Sequence, residues 1–101
     1  MRGMEFYQNK LIDYSMGNFA GYHALTSGGV LGISGILQVT LGKDGSFQGA
    51  KLVPTSMVDP GYPRMDPKKR AIAQVRSLTK ADFPTTGPTI ADDGTITPPA
   101  A

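Results

Sequence analysis

Ile33-Ser34-Gly35-Ile36-Leu37-Gln38-Val39-Thr40-Leu41-Gly42-Lys43-Asp44-Gly45-Ser46-Phe47-Gln48-Gly49-Ala50-Lys51-Leu52-Val53 is the stretch that decides the fold class. From Val30 to Leu41 the side chains alternate. Ile33, Leu37, Val39 and Leu41 share one phase, and Ser34, Ile36, Gln38 and Thr40 the other. That period of two is the signature of a strand with one buried face. Gly35 stands in the apolar phase, which predicts a close backbone approach or a bulge. Gly42 to Ser46, with its Asp44-Gly45 pair, is a hairpin loop, and Phe47 to Val53 returns as the partner strand.

On the N-terminal side, Met4 and Phe6 alternate with Glu5 and Tyr7, and Leu11 to Met16 resumes as a second apolar strand. Gln8, Asn9 and Lys10 between them make a polar loop, so residues 3–16 read as a β-hairpin. Its first strand begins almost at Met1, with nothing before it to cover its edge. Gly17 to Gly29 reads as loop and holds Phe19, Tyr22 and the single histidine, His23.

On the C-terminal side, Pro54 to Pro63 reads as irregular. Asp66-Pro67 then opens a helix, with Asp as N-cap and Pro at the first helical position. Ala71, Ile72, Val75 and Leu78 form one apolar stripe flanked by Lys68, Lys69, Arg70 and Arg76. The helix fades near Ser77 to Lys80. Ile90 and Ile96 bracket Asp92-Asp93-Gly94, a small terminal hairpin, and the last four residues read as an unstructured end. The expected organisation is a main portion over 1–84 and a Pro/Thr/Gly-rich tail over 85–101, in the α+β class, with β-hairpins plus one helix.

Composition bounds the function. The chain has 101 residues, 40% of them hydrophobic, with 13 glycines and 8 prolines. One lightly packed domain of short elements fits those numbers. A net charge of +2 is too small to imply a nucleic-acid partner. With no cysteine there is no disulfide, thiolate nucleophile or cysteine-ligated metal. Residues 24–42 are uncharged, but five are Gly, five are Thr, Ser or Gln, and only nine of the nineteen are apolar. That composition argues against a transmembrane segment and makes the Gly28-x-x-x-Gly32 spacing coincidental. No signal peptide, HExxH, Walker loop, dinucleotide fingerprint or Gly-x-Ser-x-Gly elbow is present.

The candidate functional stretch is Tyr14-Ser15-Met16-Gly17-Asn18-Phe19, where a glycine ends a strand and an amide and an aromatic ring follow at its exit. Asn18 suits hydrogen bonding to a ligand or a cation, or serves as an ordinary turn residue. His23 offers a general base or a metal ligand, against a solvated surface residue. Tyr7, Tyr14 and Tyr22 suit a sugar or peptide groove, or half-buried packing. The basic group from Arg64 to Arg76 suits a polyanion, or a solvated helix face.

Residues 5–19 resemble the C-terminal part of the CapA family, the capsule and poly-γ-glutamate biosynthesis proteins. There a strand, a short hairpin and a strand ending in Tyr-Ser-Leu-Gly-Asn-Phe follow one another, and Met16 stands where Leu is usual. The strand Ile33 to Leu41, the Asp-Gly turn, Leu52-Val53-Pro54, the helix after Asp66-Pro67, and Ser77-Leu78 with Asp82-Phe83 are also similar to family members. The resemblance implies a C-terminal fragment of a metallophosphoesterase-like αββα sandwich, within the calcineurin-like superfamily. The family's metal-site motifs are an Asp-bearing turn, an Asn-Asn-His segment and a Gly-His-x-Pro-His segment. None occurs here, and Arg2-Gly3-Met4-Glu5 looks like the stretch that follows the last of them.

The resemblance therefore implies no metal or catalytic residue in this chain and a divalent metal in a full-length parent of metal-dependent hydrolase type. The parent would act on an anionic surface polymer at the cell envelope. The partners implied are a missing N-terminal portion, separately encoded or lost by truncation, and capsule-synthesis membrane proteins. Asn18 and Phe19 would sit beside the metal site, with Ser15 and Gly17 as their backbone frame, as substrate-binding residues. His23 matches no family motif. The rival reading is a small β-rich binding or structural module without catalysis, in which the edge of the first strand is paired or protected. In a fragment, Met4 and Phe6 are expected to be exposed.

Overall fold

The computed structural model describes residues 1–21, 32–58 and 61–99. Over these the chain forms a small mixed α+β domain in the order β1 (Met4–Tyr7), β2 (Lys10–Asp13), β3 (Ile33–Leu41), β4 (Phe47–Val58), β5 (Tyr62–Met65), α1 (Arg70–Asp82), β6 (Thr89–Ile90) and β7 (Thr95–Thr97). β1 and β2 make a two-stranded sheet, and the other five strands make a second sheet in which β4 is the hub. The expectation of hairpins plus one helix holds at this level.

The decisive hairpin forms as its alternation predicts, with Leu37 opposite Leu52 and Val39 opposite Ala50. Gly35 is a close-approach position. A Cβ there would lie 2.8 Å from the Leu52 side chain and 3.0 Å from the Val53 carbonyl oxygen. The register shift falls instead between Thr40 and Leu41, at the hairpin end. β1 and β2 are joined by a two-residue turn, Gln8 (φ 51°) and Asn9 (φ 63°), and Lys10 already belongs to β2. Two successive left-handed residues give the turn hand that matches strand twist.

Two expected boundaries are corrected. Residues 54–58 are not irregular: β4 runs through Pro54 to Val58 and pairs with β5. The Pro54 carbonyl accepts from the Asp66 amide at 3.2 Å, on the side of β4 away from β3. Its nitrogen points to that same side, into the gap between β7 and β5, where no ladder donor is needed. The helix begins at Arg70, not at Pro67. Asp66 is not the N-cap, a position taken by Lys69, but its carboxylate accepts from the amides of Lys68 and Arg70 at 3.1 Å each. Lys69 adopts a left-handed conformation (φ 51°), so residues 66–69 form a turn ahead of the helix. Burial pushes the Asp66 carboxyl up, but the Arg70 side chain and these amides outweigh it and hold it below the usual range. The helix continues past Lys80 to Asp82, and the Phe83 amide closes its end on the Thr79 carbonyl at 2.8 Å.

The core unites the two ends of the described chain. Met4, Ile33, Leu52, Ala71, Ile72, Val75, Ile90 and Ile96 form one buried cluster. Ala71, Ile72 and Val75 of the expected helical stripe are buried, but Leu78 is only half-buried and Thr79 takes the fourth buried position. The terminal hairpin forms and joins the main sheet: Ala50 faces Ile96, and the Leu52 amide donates to the Gly94 carbonyl at 2.8 Å.

The edge of β1, expected to lack cover, is covered from within the chain. The Met4 amide donates to Thr79 Oγ1 at 3.0 Å, and the Phe6 amide to the Thr86 carbonyl at 2.8 Å. Gly3 permits this approach, since a Cβ there would lie 2.9 Å from the Thr79 nitrogen. Met4 is fully buried rather than exposed, and Phe6 is half-buried. Thr79→Val keeps the shape and removes the acceptor, stranding a buried amide. It is expected to lower unfolding stability by about 1–3 kcal/mol in urea denaturation, and unchanged stability would mean the β1 edge is not closed this way.

Candidate functional site

The stretch after β2 is folded by side-chain-to-backbone hydrogen bonds. The Ser15 amide donates to Asp13 Oδ1 and the Gly17 amide to Ser15 Oγ, each at 3.2 Å, two successive local turns of the kind Asp and Ser favour. Gly17 sits at φ +77°, where a Cβ would lie 3.0 Å from the Ile33 carbonyl oxygen and from the Met1 side chain. Glycine is the residue that accepts both conditions. The frame is tied down on three sides. Ser34 Oγ donates to the Met16 carbonyl at 2.6 Å, the Arg2 amide to the Ser15 carbonyl at 3.1 Å, and the Gly21 amide to the Gly61 carbonyl at 3.1 Å.

This places Ser15, Gly17, Asn18 and Phe19 together on one braced loop. Asn18 is half-buried, Ser15 and Gly17 are exposed, and Phe19 keeps 38% of its surface exposed. Tyr14, at 52% exposure, lies on the Phe83 ring with centroids 5.3 Å apart and an interplanar angle of 13°. Its hydroxyl donates to Glu5 Oε2, and that acceptor raises the phenol above its ordinary pKa. Thr86 Oγ1 donates to the other Glu5 oxygen at 3.2 Å. Tyr14 is thus a packed cover residue of the β1 edge, and Tyr7 stands on the exposed hairpin tip. Tyr22 and His23 lie outside the described residues.

Asp13 is a feature the sequence reading passed over. It shares the phase of Leu11 on β2, facing the main sheet, and its Oδ2 is buried with no hydrogen-bond partner among the described residues. Burial raises its carboxyl above the ordinary value. The Ser15 amide and the N-terminal ammonium of Met1 act in the opposite direction, and burial prevails. Asp13 closes one end of an open cleft of about 340 Å³ between β2 and the far end of the β3–β4 hairpin. Leu11, Leu37, Val39, Leu41 and Phe47 line it, with Lys10 at the rim. Val39 and Leu41 were expected on a buried face but are 42% and 59% exposed, because the short β1–β2 hairpin stops before covering them. Phe6 packs edge-on against Phe47, with ring centroids 4.9 Å apart.

Among the described residues no three His, Cys, Asp or Glu side chains come together in a group that could hold a metal ion. Asp13 Oδ1 accepts from Ser15, and the two Glu5 oxygens accept from Tyr14 and Thr86. No helix among the described residues is long and apolar enough to cross a membrane. Comparison with protein-family models, curated proteins and solved structures gives no match to this chain.

The raised Asp13 carboxyl has a stability consequence with a definite sign. Its folded pKa lies above the unfolded 3.8, so its contribution is full below pH 3.8 and is lost as pH rises through the folded value. Asp13→Asn keeps an acceptor for the Ser15 amide and carries no charge. At pH 7 the variant is expected to be more stable than the parent, and the difference should close as pH falls towards 3.8. A variant less stable at neutral pH by urea titration would show that the Asp13 charge is compensated.

Proposed function

We propose that this chain is the β-rich C-terminal part of a CapA-like protein within a metallophosphoesterase-like αββα sandwich. Its parent acts on an anionic surface polymer of the capsule or poly-γ-glutamate type at the cell envelope. Tyr14–Phe19 forms a non-catalytic wall of the polymer site, with Asn18 and Phe19 touching substrate and Ser15 and Gly17 shaping the backbone. Metal-activating groups belong to the parent and not to this chain. The observation that supports this reading is the braced loop itself: its backbone is committed at Ser15, Met16 and Gly17, while Phe19 stays partly exposed. A rigid frame presenting an amide and a ring at a strand exit is how loops carry recognition.

A second reading, an independent β-rich binding module that uses the apolar cleft, is favoured by one observation. The outward amides of β1 are bonded within the chain, at Thr79 and Thr86. This is the protected edge that the module reading requires.

Backbone amide shifts decide between the two. On addition of oligo-γ-glutamate, saturable shifts are expected at residues 14–19, and Asn18→Ala and Phe19→Ala should each weaken binding several-fold without changing the fold. Shifts confined to Leu37, Val39 and Leu41 would favour the module. Metal-dependent phosphoester or peptide turnover by the purified chain, abolished by Asn18→Ala, would overturn the non-catalytic assignment.

A further inference from the structure

The basic group between Arg64 and Arg76 is not used by either reading, and the structure sorts it into two kinds. Arg76 is spent on structure: its Nε donates to the Ile90 carbonyl at 2.9 Å and its Nη2 pairs with Asp92 at 2.8 Å. Three of the other four cations, Arg64, Lys68 and Arg70 but not Lys69, line a shallow basin of about 250 Å³ beside the start of α1, together with Ser56 and Asp66. Ser56 and Arg64 are direct cross-strand partners in the β4–β5 ladder, so their side chains share one face. The basin lies on the same β4–β5 hairpin whose turn holds the Gly21 amide.

Among the described residues the basin has one carboxylate, and it is already committed. Asp66 is 5% exposed, and its two oxygens take the Lys68 amide, the Arg70 amide and the Arg70 Nε at 2.9–3.1 Å. The helix start is thereby filled by the protein's own side chain and is not the attraction. Arg70 reaches on through Nη2 to Ser56 Oγ at 3.0 Å, which orients its guanidinium across the basin. Ser56 is 9% exposed and uses its oxygen as acceptor, and among the described residues its own hydroxyl hydrogen has no acceptor. Arg64 and Lys68 are exposed, and among the described residues neither forms an ion pair. Three cations, one neutralised carboxylate and a buried hydroxyl with a hydrogen to donate therefore meet in one concavity.

We propose that this basin is a binding site for an oxyanion, a carboxylate or phosphate group on a small acidic ligand. Ser56 donates its hydroxyl hydrogen, Arg70 is pre-oriented by Asp66, Arg64 offers a planar donor fork, and Lys68 adds a point charge at the rim. The site rests on residues distinct from the Tyr14–Phe19 loop and stands whether or not the CapA-like reading holds.

The test uses inorganic phosphate and glutarate as separate probes at low salt, read by backbone and arginine Nε shifts. Saturable shifts are expected at Ser56, Arg64 and Arg70, with a Kd of the order of 1–10 mM. Arg64→Ala with Lys68→Ala should weaken binding about tenfold or more and leave the thermal transition in place, since both side chains are exposed and neither supports the fold. Adding about 0.5 M sodium chloride should weaken it further. Response to one probe only supports the site and names the acid group it takes. No saturable shift with either probe up to about 50 mM, or equal affinity in the double variant, overturns the proposal.

Discussion

The buried hydrogen bond from the Met4 amide to Thr79 Oγ1 joins residues 75 positions apart, and the rest of the structure depends on it. A chain with this little apolar content cannot close a core from its central hairpin alone. It recruits Met4 from one end and Ile90 and Ile96 from the other, around the inner face of α1. Drawing β1 against the helix requires a glycine at position 3 and an acceptor on the helix where the strand's outward amide arrives. The same helical residue takes the C-terminal closing bond through its carbonyl, so one residue anchors both the strand edge and the helix end. The entropic cost of so long a closure grows only slowly with length. Burial of Met4 and pairing of two amides are thus enough to hold it.

Much of this fold was legible in the sequence. Alternation over Ile33–Leu41 and the Asp44-Gly45 turn gave the main hairpin, and Ile90 and Ile96 around Asp92-Asp93-Gly94 gave the terminal one. What was not legible has particular causes. Pro54 reads as a strand breaker because sequence does not show that its nitrogen faces a gap between two neighbouring strands. Asp66-Pro67 reads as a helix start because the left-handed turn at Lys69 carries no residue-type signal: lysine rarely adopts it. Thr79 falls where the helix reads as fading, and only the folded chain shows that its hydroxyl faces inward.

The candidate loop was legible at the level of residue types. Ser15, Gly17 and Asn18 are turn formers, and the structure gives the first two a definite role as frame. Asp13 was missed because an acidic residue at a strand end is usually solvated, although its phase with Leu11 was the available signal. The oxyanion basin was half visible. Its cations stand in a run, but the pairing of Arg64 with Ser56 needs a β4–β5 ladder in a segment that reads as irregular. The physical lesson is that charge runs become sites only when tertiary structure removes some charges into internal pairs, as with Arg76 and Asp92, and leaves others facing one concavity.

The edge of β1 is closed from within the chain by α1 and the turn that follows it. Amide hydrogen exchange at Met4 and Phe6 tests this most directly, because both amides point away from β2 and have partners only at Thr79 and Thr86. Both are expected to exchange as slowly as the Leu52 amide in the middle of β4, through opening of the whole domain. Exchange at the rate of a frayed terminus, with Leu52 still protected, would contradict this closure.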